Sequence, residues 1–259
     1  MAGEVVQQQS QTSVPGKVAA VTFTFWIIKI VCTTLGETGG DAVTMSMNLG
    51  YLTGTLIFAA LFLVVVIAQV RAKKFHPALY WATIIATTTV GTTMADFCDR
   101  SLGIGYAGGS LLLLALLFAS LGIWYRSAGS VAADTVATPR TEIFYWVTIM
   151  FSQTLGTALG DWSADDAGLG YVGGIAAFST ALLLVAACYF WTKISRTTLF
   201  WAAFILTRPL GAVVGDFLDK PFAHGGLNLS RYSASGVLLA LIVAGVFFLP
   251  QRAAQKGSH

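Results

Sequence analysis

Four copies of one residue pattern run through this sequence, and they restrict its fold more than any other feature. Each copy has a tryptophan, a glycine ten residues later and an aspartate fifteen residues later. The tryptophans are Trp26, Trp81, Trp146 and Trp201, the glycines are Gly36, Gly91, Gly156 and Gly211, and the aspartates are Asp41, Asp96, Asp161 and Asp216. Tandem repeats bury their apolar faces against neighbouring copies. The chain is therefore predicted to form one domain of four similar units.

Each copy contains two apolar runs of about 20 residues, the length that a helix needs to cross a hydrocarbon core. Charged residues make up 10% of the chain and hydrophobic residues 56%, whereas soluble domains carry roughly 25% charged residues. This composition excludes a water-soluble fold and any kinase, Rossmann or nucleic-acid-binding domain. We predict an all-α polytopic membrane protein of eight transmembrane helices, built as four tandem parallel helical hairpins with pseudo-symmetry about the membrane normal. The predicted spans are 19–40, 49–70, 78–96, 104–125, 142–161, 170–191, 198–216 and 232–250.

The basic residues predict the orientation of this domain. Ten lysines and arginines lie in the tails and in the junctions between repeats, whereas three lie in the turns inside repeats. By the positive-inside rule, the junctions and both termini face the cytoplasm of a bacterial inner membrane. The sequence leaves open whether the chain forms a homo-oligomer. The transmembrane domain is predicted at 19–250, with repeats at 19–73, 74–128, 139–193 and 194–250 and cytoplasmic tails at 1–18 and 251–259.

Two further residue types are expected near the cytoplasmic interface. Tryptophan is enriched at membrane interfaces, so the repeated tryptophans are predicted to anchor the helices there. Lys29 follows Trp26 by three residues, and its long side chain is predicted to extend to the headgroups.

The repeated aspartates are candidate functional residues because parallel repeats place equivalent residues at one depth. Ionisable residues inside a membrane span mark functional sites by default. Each copy also has a second acid three or four residues from its aspartate, on the same face wherever the helix continues. The pairs are Glu37 with Asp41, Asp96 with Asp99, Asp161 with Asp165, and Asp216 with Asp219.

A polar stripe precedes the aspartate in the first three copies, where an i, i+3, i+7 spacing defines one helical face. The fourth copy lacks this stripe and instead carries Arg208 at the position of Thr33, Thr88 and Gln153. A guanidinium in hydrocarbon is costly without a partner. We therefore expect Arg208 to contact Glu37 or one of the repeated aspartates. The stripes are Thr34-Glu37-Asp41, Thr89-Thr92-Asp96 and Thr154-Thr157-Asp161.

Clustered carboxylate and hydroxyl oxygens suit hard cations such as Mn²⁺, Mg²⁺ or Ca²⁺. We predict a transporter or exporter of a small cation, with exchange against protons through Glu37 as a natural coupling. No enzymatic activity, resident cofactor or nucleic-acid partner is predicted, although a bound divalent cation is compatible with the pattern. The predicted metal ligands are Asp41, Asp96, Asp161 and Asp216, flanked by Glu37, Thr34, Thr89 and Thr154, and the candidate gating or charge-partner residues are Arg208, Asp99, Asp165 and Asp219.

Other interpretations stay open at the level of sequence. The glycine–aspartate pairs can be plain helix caps. Acids fully neutralised by Arg208, Arg100 and Lys220 would instead suit a membrane scaffold or sensor that transports nothing. An intramembrane aspartyl protease is a remote alternative, since Gly160-Asp161 and Pro77-Ala78-Leu79 are similar to its two motifs. Here, however, the proline motif precedes the aspartate motif and lies in a predicted cytoplasmic junction.

Across residues 20–250 the chain resembles a bacterial membrane-protein family described as four tandem two-helix repeats of unknown function, each with a tryptophan. The resemblance rests on the repeated tryptophans and their aspartate turns, and it implies the fold but no substrate. The Glu37…Asp41 pair is also similar to the Glu-x-Gly-Asp motifs of manganese and calcium/proton exchangers, with a spacing one residue longer.

Overall fold

The computed structural model describes residues 16–255, which form eight long α-helices. Each predicted span corresponds to one helix, and no bound differs by more than four residues. The predicted tails fall partly at residues 1–15 and 256–259, which lie outside the described part of the chain. The helices are α1 (Phe23–Asp41), α2 (Tyr51–Arg71), α3 (Pro77–Asp96), α4 (Tyr106–Ala128), α5 (Pro139–Asp161), α6 (Gly170–Trp191), α7 (Arg196–Asp219) and α8 (Arg231–Phe248).

The first helices of the four repeats form a closed inner ring. α1 packs against α3 and α7, and α5 packs against the same two helices. Most of the residues in α3, α5 and α7 are buried, and so are most of their threonines. The inner ring therefore has a polar interior, which its helices can tolerate because their backbone hydrogen bonds are satisfied within each helix.

The second helices surround this ring, each packed on the first helix of the next repeat. α2 lies on α3, α4 on α5, α6 on α7, and α8 on α1. These outer helices expose large apolar side chains such as Leu111, Leu183 and Phe247. Five helices, namely α2, α4, α6, α7 and α8, are long and apolar enough to cross a membrane. An apolar outer surface of this extent is typical of a protein surrounded by lipid.

The repeated glycines let the inner helices approach closely. A Cβ atom on Gly36 would lie 2.5 Å from the Thr88 side chain, and one on Gly91 would lie 3.0 Å from Gln153. A Cβ atom on Gly156 would likewise contact the Arg208 side chain, and one on Gly211 would contact Thr33. Each glycine therefore accommodates the side chain seven residues after the tryptophan of the next repeat, and the fourth repeat accommodates that of the first. Small residues at such positions are what close helix packing in membranes requires.

The repeated tryptophans form an aromatic cluster at one end of the ring, so their prediction as interface anchors is wrong for three of them, whereas Trp26 is half-buried. Trp81, Trp146 and Trp201 are at most 5% exposed. The residue before each tryptophan contacts the tryptophan of the next repeat. The ring centroids are separated by 5.5 Å for Phe25 and Trp81, 5.7 Å for Tyr80 and Trp146, 6.3 Å for Tyr145 and Trp201, and 5.9 Å for Phe200 and Trp26. Sequence spacing could not distinguish a lipid-facing tryptophan from one that closes the bundle.

Both described chain ends pack over this aromatic end. The Gly16 backbone N–H donates to the Ala254 carbonyl at 2.8 Å, and the Ala20 N–H donates to the Arg252 carbonyl at 2.9 Å. Lys17 and Glu142 are buried and form an ion pair at 2.5 Å. The described parts of the predicted tails are therefore bound to the bundle.

The opposite end of the ring is extended by π-helical turns. Such turns follow the aspartate in the first three repeats, at Ala42–Ser46, Phe97–Ser101 and Trp162–Asp166. In the fourth repeat α7 continues to Asp219, three residues past the predicted end. π-Helical turns are frequent at functional sites, and here they follow Asp41, Asp96 and Asp161 directly.

Candidate functional site

The four repeated aspartates lie at the end of the inner ring away from the tryptophans, where two basic side chains bridge them in pairs. Arg100 follows α3 and connects the second and third repeats. Its Nε atom lies 3.0 Å from Asp96 Oδ1, and its Nη2 atom lies 3.3 Å from Asp161 Oδ2. Both carboxylates are buried, whereas the arginine side chain is 32% exposed. Arg100 therefore lies between these acids and the outside of the bundle.

Lys220 makes the equivalent bridge between the fourth and first repeats. Its Nζ atom lies 2.5 Å from Asp41 Oδ2 and 3.0 Å from Asp216 Oδ1. Burial alone would lower the pKa of Lys220, but the carboxylates around it raise the pKa well above its ordinary value. The lysine is therefore a permanent cation near neutral pH.

A third basic residue extends this pairing into the outer helices. Arg231, the first residue of α8, has its Nε atom 3.1 Å from Asp219 Oδ2 and 3.7 Å from Asp41 Oδ2. The pairing joins α8 to the end of α7. Asp219, predicted as a charge partner, is therefore part of the acidic end of the bundle.

Glu37 lies one helical turn deeper and contacts Arg208, which has the carboxylate partner that the sequence predicts. Arg208 Nη2 donates to Glu37 Oε2 at 3.0 Å and to Thr92 Oγ1 at 2.5 Å, and it also donates to Thr157 Oγ1. Arg208 is fully buried. Because position 212 is an alanine in the fourth repeat, the arginine can reach across the bundle to residues of the other three repeats.

Acids outnumber bases in this cluster. Six buried carboxylates form ion pairs with four basic side chains, so two negative charges are formally uncompensated. Buried charges that lack a counter-charge are costly and are normally neutralised by protons or by a bound cation. The carboxylates are Glu37, Asp41, Asp96, Asp161, Asp216 and Asp219, and the bases are Arg100, Arg208, Lys220 and Arg231.

Among residues 16–255, two groups of three carboxylates have the geometry to hold a cation. One consists of Glu37, Asp161 and Asp216, and the other of Asp41, Asp216 and Asp219. Each residue offers an oxygen atom within 4.8 Å of the other two. The buried Oδ1 atoms of Asp41 and Asp219 make no hydrogen bond within residues 16–255. Three oxygens at this separation suit a hard divalent ion with ligand distances of about 2.0–2.6 Å.

The three threonines that were predicted to bind the cation make hydrogen bonds within their own helices instead. The structure brings the aspartates and Glu37 together, but each predicted threonine donates to a carbonyl of its own helix. Thr92 and Thr157, one turn further along the same stripes, contact the arginine instead. The donors are Thr34 to Ile30 at 3.0 Å, Thr89 to Ile85 at 2.8 Å, and Thr154 to Met150 at 3.0 Å.

The sequence indicated Arg100 and Lys220 only as bases that could neutralise the acids and not as site residues, although both follow the tryptophan by nineteen residues. That shared spacing was a signal for their roles. The same position holds Met45 in the first repeat and Asp165 in the third. Bridges are consequently made at alternate interfaces of the ring, and Asp161 and Asp216, which are adjacent, each bind a different base.

The remaining two predicted partners lie outside the central cluster. Asp165 is exposed on its π-helical turn. Asp99 is buried where its turn meets α4, close to Gly109, and its oxygens accept no hydrogen bond from the described residues. Burial raises the pKa of Asp99 to about 6, although the neighbouring Arg100 opposes this shift.

The Asp99 carboxyl should make stability depend on pH. The folded protein retains its proton at pH values where the unfolded chain, with a pKa of about 3.9, has lost it. Stability therefore falls as pH rises from about 4 through 6. Asp99→Asn should raise the thermal unfolding temperature in detergent near pH 7.5 and change it little near pH 4. An equal gain at both pH values would show that Asp99 does not titrate in this way.

The prediction that Lys29 extends to the lipid headgroups is wrong. It is fully buried. Its Nζ atom donates to Thr207 Oγ1 at 3.1 Å and lies 3.8 Å from the centre of the Phe204 ring. The lysine is held inside the ring, between the aromatic cluster and Arg208.

The arrangement of helices and acids can be compared with known proteins. A family model described as a repeat of unknown function, DUF347, matches the chain four times, at residues 24–75, 79–130, 144–195 and 199–252. No curated protein and no solved structure gives a significant match. Each matched segment contains one inner helix, its aspartate and the following outer helix. The chain therefore belongs to the DUF347 family of tandem repeats.

Proposed function

We propose that this protein is a membrane transporter of a small cation, and that the acidic cluster is its binding site. All eight helices would cross a bacterial inner membrane as four parallel hairpins, related by an axis near the membrane normal. The apolar outer helices and the cyclic packing of the inner ring support this arrangement. The junction charges favour an orientation with both termini in the cytoplasm and the aspartates towards the outside.

The observation that carries the proposal is the excess of buried carboxylates over bases. Glu37, Asp161 and Asp216 bring three oxygens together at a separation that suits Mn²⁺, Mg²⁺ or Ca²⁺. Asp161 and Asp216 belong to adjacent inner helices that no single basic residue bridges in the described structure. A cation bound there would compensate the two surplus negative charges.

Proton exchange would act through Glu37, which lies deepest in the cluster. Glu37 belongs both to the arginine pair and to the three-carboxylate group. A proton and a cation would therefore compete for one carboxylate, and competition of this kind couples the movement of one to the other.

Cation flux into proteoliposomes tests the proposal. Purified protein should carry Mn²⁺, Mg²⁺ or Ca²⁺ in a saturable manner, and a pH gradient should drive the flux. Asp161→Asn should weaken cation binding on the order of 10–100-fold. A loss of this size is typical even when the mutated residue only hydrogen-bonds to a metal ligand. Glu37→Gln should leave flux that no longer responds to the pH gradient.

Asp166→Asn is the matched control, because Asp166 is an exposed acid of the same repeat. It should leave cation flux unchanged. Normal pH-coupled flux in both Asp161→Asn and Glu37→Gln would contradict the proposal.

A membrane scaffold is the second candidate, and the ion pairs of Arg100 and Lys220 favour it. Each of these two bases is shared by two of the repeated aspartates, so all four aspartates are partly neutralised. Absence of flux for every cation, together with unchanged protein stability when cations are added, would support the scaffold.

A further inference from the structure

We propose that the inner ring also binds a small inorganic anion, represented by chloride, in a layer beneath the acidic cluster. This basic layer consists of Arg208, Lys29, Gln153, Ser152 and Thr88. It lies between Glu37 and the aromatic cluster, and the ion pair of Arg208 with Glu37 connects it to one of the two carboxylate groups that suit a cation. The proposal goes beyond cation transport and does not depend on it.

The first argument is the balance of charge in this layer. Arg208 and Lys29 are both fully buried. Glu37 pairs with Arg208, but Lys29 has no carboxylate within ion-pairing distance among residues 16–255. Its contacts are the Thr207 hydroxyl, the Phe204 carbonyl at 3.5 Å and the Phe204 ring. A buried ammonium without a counter-charge is costly and either loses its proton or gains an anion, so an anion bound in this layer would stabilise the charged form of Lys29.

The second argument is a set of buried polar atoms that make no hydrogen bond within the described structure. They include the Nε and Nη1 atoms of Arg208 and both amide atoms of Gln153, together with the hydroxyls of Ser152 and Thr88. Arg208, Gln153, Ser152 and Thr88 are fully buried. Buried polar groups almost always have a partner, which can be a bound ion or an ordered water. Several such groups on three helices therefore indicate a shared ligand.

The glycine contacts show that Thr88, Gln153 and Arg208 occupy one layer. Thr88, Gln153 and Arg208 are equivalent residues of successive repeats, and each packs on the matching glycine of the repeat before it. Ser152 precedes Gln153, and Lys29 is bound to Thr207, the neighbour of Arg208. The layer therefore brings donors from α1, α3, α5 and α7 around the inside of the ring.

The chemistry of the layer favours an anion. A guanidinium edge, an ammonium, an amide N–H₂ and two hydroxyls all donate hydrogen bonds. Donors of this kind bind anions strongly because charge-assisted hydrogen bonds are about twice as strong as neutral ones. The aromatic cluster lies on one side of the layer and closely packed helices surround it, so we propose a small ion such as chloride rather than a large oxyanion.

Equilibrium binding of radioactive chloride to the purified protein in detergent tests the proposal. Gluconate should hold the ionic strength constant, and divalent cations should be absent. The protein should bind chloride in a saturable manner, with one site per chain. Gln153→Leu and Ser152→Ala should each weaken binding about tenfold, the ratio expected when one hydrogen bond to a charged ligand is lost. Lys29→Met should abolish binding.

Thr83→Val is the matched control, since this fully buried threonine on α3 donates to the Leu79 carbonyl of its own helix at 2.8 Å. It should bind chloride like the unmodified protein. If Lys29→Met fails to fold, the Gln153 and Ser152 variants still decide the question. Absence of saturable chloride binding, or equal binding by all variants, would show that the layer holds only water. Because no cation gradient is used, these outcomes are independent of transport.

Discussion

Arg208→Met should lower the free energy of unfolding by about 3–5 kcal/mol, the cost of breaking a buried ion pair by removing one partner. The substitution leaves Glu37 buried without its base, next to other carboxylates. Removing both charges should lower the free energy of unfolding much less. The double variant Arg208→Met with Glu37→Gln should therefore recover most of the lost stability. Chemical unfolding in detergent measures all three variants, and their comparison isolates the energy of the pair.

Arg71→Met provides the control, because Arg71 is an exposed residue at the end of α2. It should change stability by no more than about 0.5 kcal/mol, as is usual for surface substitutions. A double variant no more stable than Arg208→Met would mean that the guanidinium is required for its hydrogen bonds to Thr92 and Thr157 rather than for its charge.

Gly211→Ala should destabilise the protein by about 1–3 kcal/mol, which is typical of an overpacked interior. A Cβ atom at this position would lie 2.5 Å from the Cβ atom and 2.8 Å from the carbonyl carbon of Thr33. Because the second of these is a backbone atom, no rotamer change relieves the contact and α1 must move away from α7.

Gly122→Ala is the matched substitution on an outer helix, where nothing lies within 4 Å of the added methyl group. It should leave stability unchanged or raise it by up to about 1 kcal/mol, since alanine is the better helix former. Thermal unfolding of both variants gives the comparison. Equal effects would show that the glycines do not set the spacing of the inner ring.

Sequence periodicity predicted the eight helices and their grouping into repeats, because the apolar runs and the tryptophan, glycine and aspartate spacings are local properties of the chain. The partner of Arg208 also followed from the sequence, because a deep guanidinium requires a carboxylate and Glu37 is at a similar depth. These predictions needed depth along a helix but no knowledge of which helices are neighbours.

The rest depended on the packing of distant helices. Lys29 appeared close enough to a membrane interface to reach it, but the ring encloses its side chain against Phe204. The bridges of Arg100 and Lys220 join residues of adjacent repeats, and the π-helical turn that positions Arg100 is invisible in hydrophobic periodicity. The reach of the arginine across the bundle likewise determines which threonine of a stripe it contacts.

The closure of the inner ring between α7 and α1 has a consequence for the evolution of this chain. An open stack of repeats can gain or lose a copy at either end, because each added copy meets the same kind of neighbour. Here α1 is held by both α3 and α7, so the array has neither a first nor a last member. A fifth copy would have to separate Gly211 from Thr33 and widen the ring beyond the reach of Arg208. Divergence among four copies, rather than a change in their number, is therefore the route by which such a ring acquires a new specificity.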